Sequence, residues 1–187
     1  MNLPGPHHIG LAYLVSELIL TATRRSRGDG VRQDRSTLRV LWLVVTVSVA
    51  AGVYVATHFG AAALPNRDVW RLVGLVQFVL GIAVRWWAIV TLGRFFTVDV
   101  QIAKDHALVE RGPFRIVRHP SYTGVLLAFV GFALSLANWA ALLVITLPIF
   151  AAFIRRMNVE EEALTESLGA SYLAYMQRTK RLLPGVY

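Results

Sequence analysis

The sequence predicts an all-α integral membrane protein with about five transmembrane helices. Three observations carry this. The chain of 187 residues is 56% hydrophobic and only 16% charged, with a mean hydropathy of +0.54, whereas soluble domains carry about a quarter charged residues. Long, nearly uncharged runs recur, and about 20 apolar residues suffice to cross a bilayer as a helix. The cations between those runs are unevenly divided. No ten-residue alternation of polarity suggests a membrane β-barrel.

The first span, Ile9–Thr23, resembles a signal peptide in length. No cationic stretch precedes it and no small-residue cleavage site follows, so it reads as a transmembrane helix. Leu38–Leu64 and Val69–Leu92 are the second and third spans. Tyr122–Ala137 and Trp139–Ile154 are shorter, separated only by Asn138, and read as a tight helical hairpin. Four spans with a re-entrant hairpin fit the same pattern.

With five crossings, Arg24, Arg25, Arg27, Arg32, Arg35 and Arg39 share one side with Arg94, Lys104, Arg111, Arg115 and Arg118. Arg155, Arg156, Arg178, Lys180 and Arg181 join them, leaving Arg67 and Arg71 opposite. The positive-inside rule then places the N-terminus outside and the C-terminus in the cytosol. The net charge of +8 is accounted for by orientation and anionic lipid headgroups, so no nucleic-acid partner is implied. Glu17 and Arg85 fall inside spans, each roughly 10 Å from the cytosolic end at 1.5 Å per residue, and are expected to pair.

Absence of cysteine excludes disulfides, thiolate metal sites and cysteine nucleophiles. His7, His8, His58, His106 and His119 show no ligand spacing, so no metal site is expected.

The polar chemistry lies in two cytosolic pieces. In "GPFRIVRHPSYTG", Gly112–Gly124, the proline pushes His119 away from helical geometry, and Pro120 suits the first position of the fourth helix. That helix end presents free N–H groups and partial positive charge, while Gly124 permits close approach by a ligand or another backbone. In "RRMNVEEEAL", Arg156 and Glu160 share a helical face, in the weaker order for a stabilising pair. Gly169 reads as a helix stop. "SYLAYMQRTKRLLPGVY" reads as a surface amphipathic helix that returns Leu182 and Leu183 to the membrane.

Together, "HALVERGPFRIVRHPSYTG" (His106–Gly124) and "RMNVEEEAL…LGASYLAY…RLLP" (Arg156–Pro184) resemble the isoprenylcysteine carboxyl methyltransferase family and its phospholipid N-methyltransferase relatives. The resemblance implies a single membrane methyltransferase domain over residues 1–187. Residues 1–92 would hold three spans, and 93–187 the connector, hairpin and cytosolic tail. It implies S-adenosylmethionine in a cytosolic pocket formed by the C-terminal half. Cofactor contacts carried over fall on Gln101, His106, Ala107, Leu108 and Val109, then on His119, Pro120, Ser121 and Tyr122. Phe114 stands where the family often has Tyr, losing any hydroxyl contact. Glu160 matches a cofactor-side carboxylate and Arg156 a substrate-side arginine, and these two are the catalytic candidates.

A carboxylate is ionised at neutral pH, with a pKa of about 4, and needs an oriented cation but no base. An amine would need deprotonation and would be repelled by Arg156. The expected reaction is therefore carboxyl O-methylation of an isoprenylcysteine-like, lipophilic or lipidated acceptor. Phospholipid or amine N-methylation is the alternative, and a non-enzymatic carrier or assembly factor a third reading.

Overall fold

A computed structural model describes residues 4–23, 33–96, 100–101 and 108–187. Among these residues six α-helices follow in order: α1 Pro6–Thr23, α2 Arg35–His58, α3 Arg67–Leu92, α4 Pro120–Ser135, α5 Trp139–Leu168 and α6 Ala170–Arg178. Two short strands, β1 Gln33–Asp34 and β2 Val100–Gln101, pair antiparallel with Gln33 opposite Gln101. The all-α expectation holds for every element longer than two residues.

Chain chemistry sets the helix ends. Asn66, in the left-handed region, precedes α3, and Asp68 puts a carboxylate near the positive end of its dipole. Gly93, at φ +61, closes it. Pro120 begins α4 as expected. Asn138 caps α5 by accepting the Ala141 N–H at 3.0 Å.

Among the described residues, three helical stretches are long and apolar enough to cross a membrane: Thr37–His58, Arg67–Phe95 and Trp139–Leu168, with Pro120–Ser135 a shorter apolar helix. Two expected boundaries move by more than three residues. The second span stops at His58, and a 3₁₀ turn at Gly60–Ala62 takes over. The helix beginning at Trp139 continues beyond Ile154 to Leu168, passing through Pro148. At 1.5 Å per residue it is about 45 Å long, beyond the roughly 30 Å of a bilayer core. Its charged second half therefore projects as a stem, which apolar content alone does not reveal.

α3 and α4 pack with their backbones nearly touching. A methyl at Gly81 would lie 2.5 Å from the Ala128 nitrogen, and one at Gly124 2.5 Å from the Arg85 nitrogen. Phe78, Val125, Phe129, Ile145, Ile149 and Phe153 form the buried core between α3, α4 and α5. Leu11, Leu14, Leu18, Leu43, Val79 and Val90 face outward, as an apolar solvent requires.

The connecting segments gather at the two ends of the bundle. At one, the β1–β2 pair joins the start of α2 to the segment after α3, and Val117 bridges to Lys180. At the other, the Leu64 N–H donates to Ala137 O at 2.8 Å, and Asn138 Nδ2 donates to Phe59 O at 3.1 Å.

Candidate active site

The N-terminus of α4 and the charged stem of α5 meet at the end of the bundle that holds the β1–β2 pair. Arg156 and Glu160 project from one face of α5 toward Tyr122 on α4. Arg156 Nε donates to the Tyr122 hydroxyl at 3.1 Å, and that hydroxyl donates to Glu160 Oε2 at 2.5 Å. Arg156 Nη1 reaches Thr37 Oγ1 on α2 at 3.3 Å. The arginine is only 3% exposed, whereas the Glu160 side chain keeps 31% exposure. A fixed guanidinium and a carboxylate are thus bridged by one phenol, which is how a site holds opposite charges without collapsing them together.

These groups border a cavity to which all six helices contribute. His119, Pro120, Ser121 and Tyr122 line it from the start of α4, and Leu108, Val109 and Phe114 from the segment before it. Arg156 and Glu160 complete the expected residues found there. His106 and Ala107 lie outside the described residues, and the Gln101 backbone forms part of β2. Leu38, Leu41, Trp42, Val45 and Phe153 give the cavity apolar lining from α2 and α5.

The tail departs from expectation. The helix expected on the surface is α6, and it docks inward: Tyr172 and Tyr175 are each 2% exposed and line the cavity. Burial first, then the negative charges of Glu161 and Glu160, push the Tyr172 hydroxyl above its ordinary range. Burial pushes Tyr175 up to about 12, and its protonated hydroxyl donates to Phe114 O at 2.7 Å. Amphipathicity shows that one face of α6 seeks an apolar surface, but not whether lipid or protein supplies it. Leu182 is buried, while Leu183 stays exposed.

Glu161, not singled out from its neighbours in the sequence, is the hub that holds the tail. Its Oε1 accepts from Arg118 Nε at 2.8 Å and meets His119 Nε2 at 3.0 Å. Its Oε2 accepts from Arg181 Nη2 at 2.6 Å. Backbone bonds from Arg118 N to Lys180 O and from His119 N to Arg181 O run alongside. His119 therefore has its Nε2 committed to the scaffold, while its ring stacks on Tyr122 at 5.4 Å. Among the described residues no cluster of His, Asp and Glu suited to a metal occurs.

Glu17 and Arg85 pair as expected, with Arg85 Nη2 at 2.8 Å from Glu17 Oε1. Both also line the cavity, a placement the depth argument could not give.

The model of the isoprenylcysteine carboxyl methyltransferase family matches residues 72–166. A probable protein-S-isoprenylcysteine O-methyltransferase of Oryza sativa subsp. indica is 35% identical over 122 residues, covering 63% of this chain and 64% of the relative. Protein-S-isoprenylcysteine O-methyltransferase B of Arabidopsis thaliana is 36% identical over 115 residues, covering 60% and 58%. A solved structure of a eukaryotic intramembrane Ras methyltransferase, isoprenylcysteine carboxyl methyltransferase, matches with a TM-score of 0.66 and 28% identity, over 82% of this chain and 54% of that one. The matched part thus spans less than two thirds of each of these proteins. The family match runs from α3 into the α5 stem, taking in Arg85, the α4 N-terminus and the Arg156–Glu160 pair, and on that ground the chain belongs to the isoprenylcysteine carboxyl methyltransferase family.

Proposed function

We propose that this protein is a membrane methyltransferase that esterifies the carboxylate of a lipophilic, isoprenylcysteine-like acceptor. The observation that carries the reading is the Arg156–Tyr122–Glu160 chain in a cavity that α2 and Phe153 line with apolar side chains. Membership of the family and the names of the relatives support it.

The cavity residues fit S-adenosylmethionine. Aromatic faces from Phe114, Tyr172 and Tyr175 suit a purine, and Glu160 offers a carboxylate to a cationic sulfur. Leu108, Val109, His119, Pro120, Ser121 and Tyr122 would hold its remaining parts, joined by Gln101, His106 and Ala107. When bound, the cofactor supplies a methyl on a positively charged sulfur, which an acceptor oxygen takes as the C–S electron pair stays on sulfur. Arg156 grips the acceptor carboxylate by its planar fork and fixes its orientation. Tyr122 holds Arg156 and Glu160 apart. No proton has to move, because the acceptor is already ionised. Leu38, Leu41, Trp42 and Phe153 receive the lipophilic tail and exclude water.

The cation distribution along the sequence supports five spans with the N-terminus outside and the cavity cytosolic. Residues 1–187 then act as one domain, and membrane lipids surround its outward apolar faces.

Calorimetry with S-adenosylhomocysteine on detergent-purified protein, together with ester formation on an S-farnesylated N-acetylcysteine, tests the reading. Saturable heat and an ester product are expected, with a rate roughly flat from pH 6 to 8 because the acceptor titrates near 4. A rate climbing about tenfold per pH unit would instead mark an amine acceptor. Absence of binding would remove the enzyme reading altogether.

A further inference from the structure

The proposed reaction gives no part to Glu161, although three side chains converge on it. It is 4% exposed and accepts from Arg118 Nε at 2.8 Å and Arg181 Nη2 at 2.6 Å. Two guanidinium donors keep it ionised, and an ionised carboxylate only accepts. The third contact, 3.0 Å to His119 Nε2, therefore requires the hydrogen on Nε2. Arg118 and Arg181 on Glu161, and Arg156 through Tyr122 on Glu160, already outnumber the two carboxylates. A further positive charge on the ring is thus disfavoured. A neutral ring protonated at Nε2 carries a bare lone pair at Nδ1.

That lone pair has a place to act. His119 lines the cavity together with Glu160, and its Nδ1 lies 3.9 Å from Glu160 Oε2, too far for a bond between them. Nδ1 has no hydrogen-bond partner among the described residues and, unlike Arg85 Nε, is not sealed in the interior. Two acceptors side by side repel each other, and a donor with several N–H groups relieves both. The ammonium of S-adenosylmethionine is such a donor, and its positive charge suits Glu160. We propose that Glu161 is a positioning residue: it fixes the His119 tautomer so that Nδ1, with Glu160, receives the ammonium group of the cofactor. The inference rests on the methyl-transfer reading and adds to it a residue that touches neither acceptor nor cofactor. A tether for the tail alone has no need of the histidine, since Arg118 and Arg181 already supply one.

Nitrogen-15 spectra of histidine-labelled protein in detergent read the tautomer directly, with His119 assigned by its loss in His119→Asn. Wild type should show Nε2 protonated and Nδ1 bare, and S-adenosylhomocysteine should shift Nδ1. The matching probe is its deaminated analogue, the 4-mercaptobutyrate thioether of 5′-deoxyadenosine, which keeps sulfur, carboxylate and purine. That analogue should leave Nδ1 unmoved and bind at least about tenfold more weakly by calorimetry, one charge-assisted hydrogen bond. Glu161→Gln, which can donate as well as accept, should let the second tautomer appear and narrow the preference to less than about threefold. Arg181→Met loosens the tail yet leaves the Glu161–His119 contact, so it should lower the melting temperature while keeping tautomer and preference. A merely structural hub would lose stability in both variants and move the tautomer in neither. Nδ1 protonated in wild type, equal affinity for the two probes, or wild-type tautomer and preference in Glu161→Gln overturns the positioning role. Absence of binding by either probe removes the methyl-transfer reading and the ammonium site with it, whereas binding without preference removes the site alone.

Discussion

Arg156 donates to Tyr122 and Tyr122 donates to Glu160, so the guanidinium is held by directed bonds as well as by its charge. Replacement by lysine keeps the charge and loses the planar fork. Arg156→Lys is expected to lower turnover by at least about a hundredfold while S-adenosylhomocysteine affinity changes less than about threefold. Tyr122→Phe deletes only the bridging hydroxyl, and with it the bonds to both Arg156 and Glu160, and should cost at least about tenfold in turnover. Steady-state kinetics beside calorimetry check both. Wild-type turnover in Arg156→Lys would show that the fork is not used. The Arg156–Glu160 spacing is legible in the sequence because four residues return to the same helical face. Tyr122 as their bridge is not, because the hydroxyl comes from another helix.

The contact of α3 with α4 sets the cavity's depth, since Arg85 and Ser121 sit at that crossing. Gly81 lies where a methyl would meet the Ala128 nitrogen at 2.5 Å and Gly124 O at 2.6 Å. Both atoms are backbone and cannot rotate aside. Gly81→Ala should therefore force the helices apart and lower stability by about 1–3 kcal/mol. Gly60→Ala, where nothing lies within 4 Å, is the matched control. Thermal melting in detergent distinguishes them, and equal melting temperatures would mean the crossing is looser than the structure gives. α5 presents the converse case: its apolar half is visible in hydropathy, but the stem to Leu168 is not, because a helix leaving a bilayer changes solvent without changing backbone.

The distribution of arginine gives the chain its direction. Asn66 and Ser167 are both exposed, at opposite ends of the cation distribution. Single cysteines at these positions, in a chain with no native cysteine, should label from outside at Asn66 and remain protected at Ser167. The reverse pattern on intact cells with an impermeant thiol reagent would invert the orientation and carry the cavity to the other face.

Hydropathy, helix punctuation and charge asymmetry are local or one-dimensional properties, and the chain alone states them. Each is imposed by solvent or by backbone sterics within a few residues: the membrane class, the start of α4 at Pro120, the stop at Gly169 and the Arg156–Glu160 face. The depth of Glu17 and Arg85 belongs with these, since rise per residue converts position into height. Contacts that join distant segments had to await the packed chain. Glu161 gathers Arg118 and His119 from before α4 and Arg181 from the tail, and α6 turns its tyrosines onto a cavity instead of lipid. Such pairings depend on rotation about each helix axis and on which face meets which neighbour. Those choices are fixed by close packing across the bundle, for which no stretch of sequence carries a local signal.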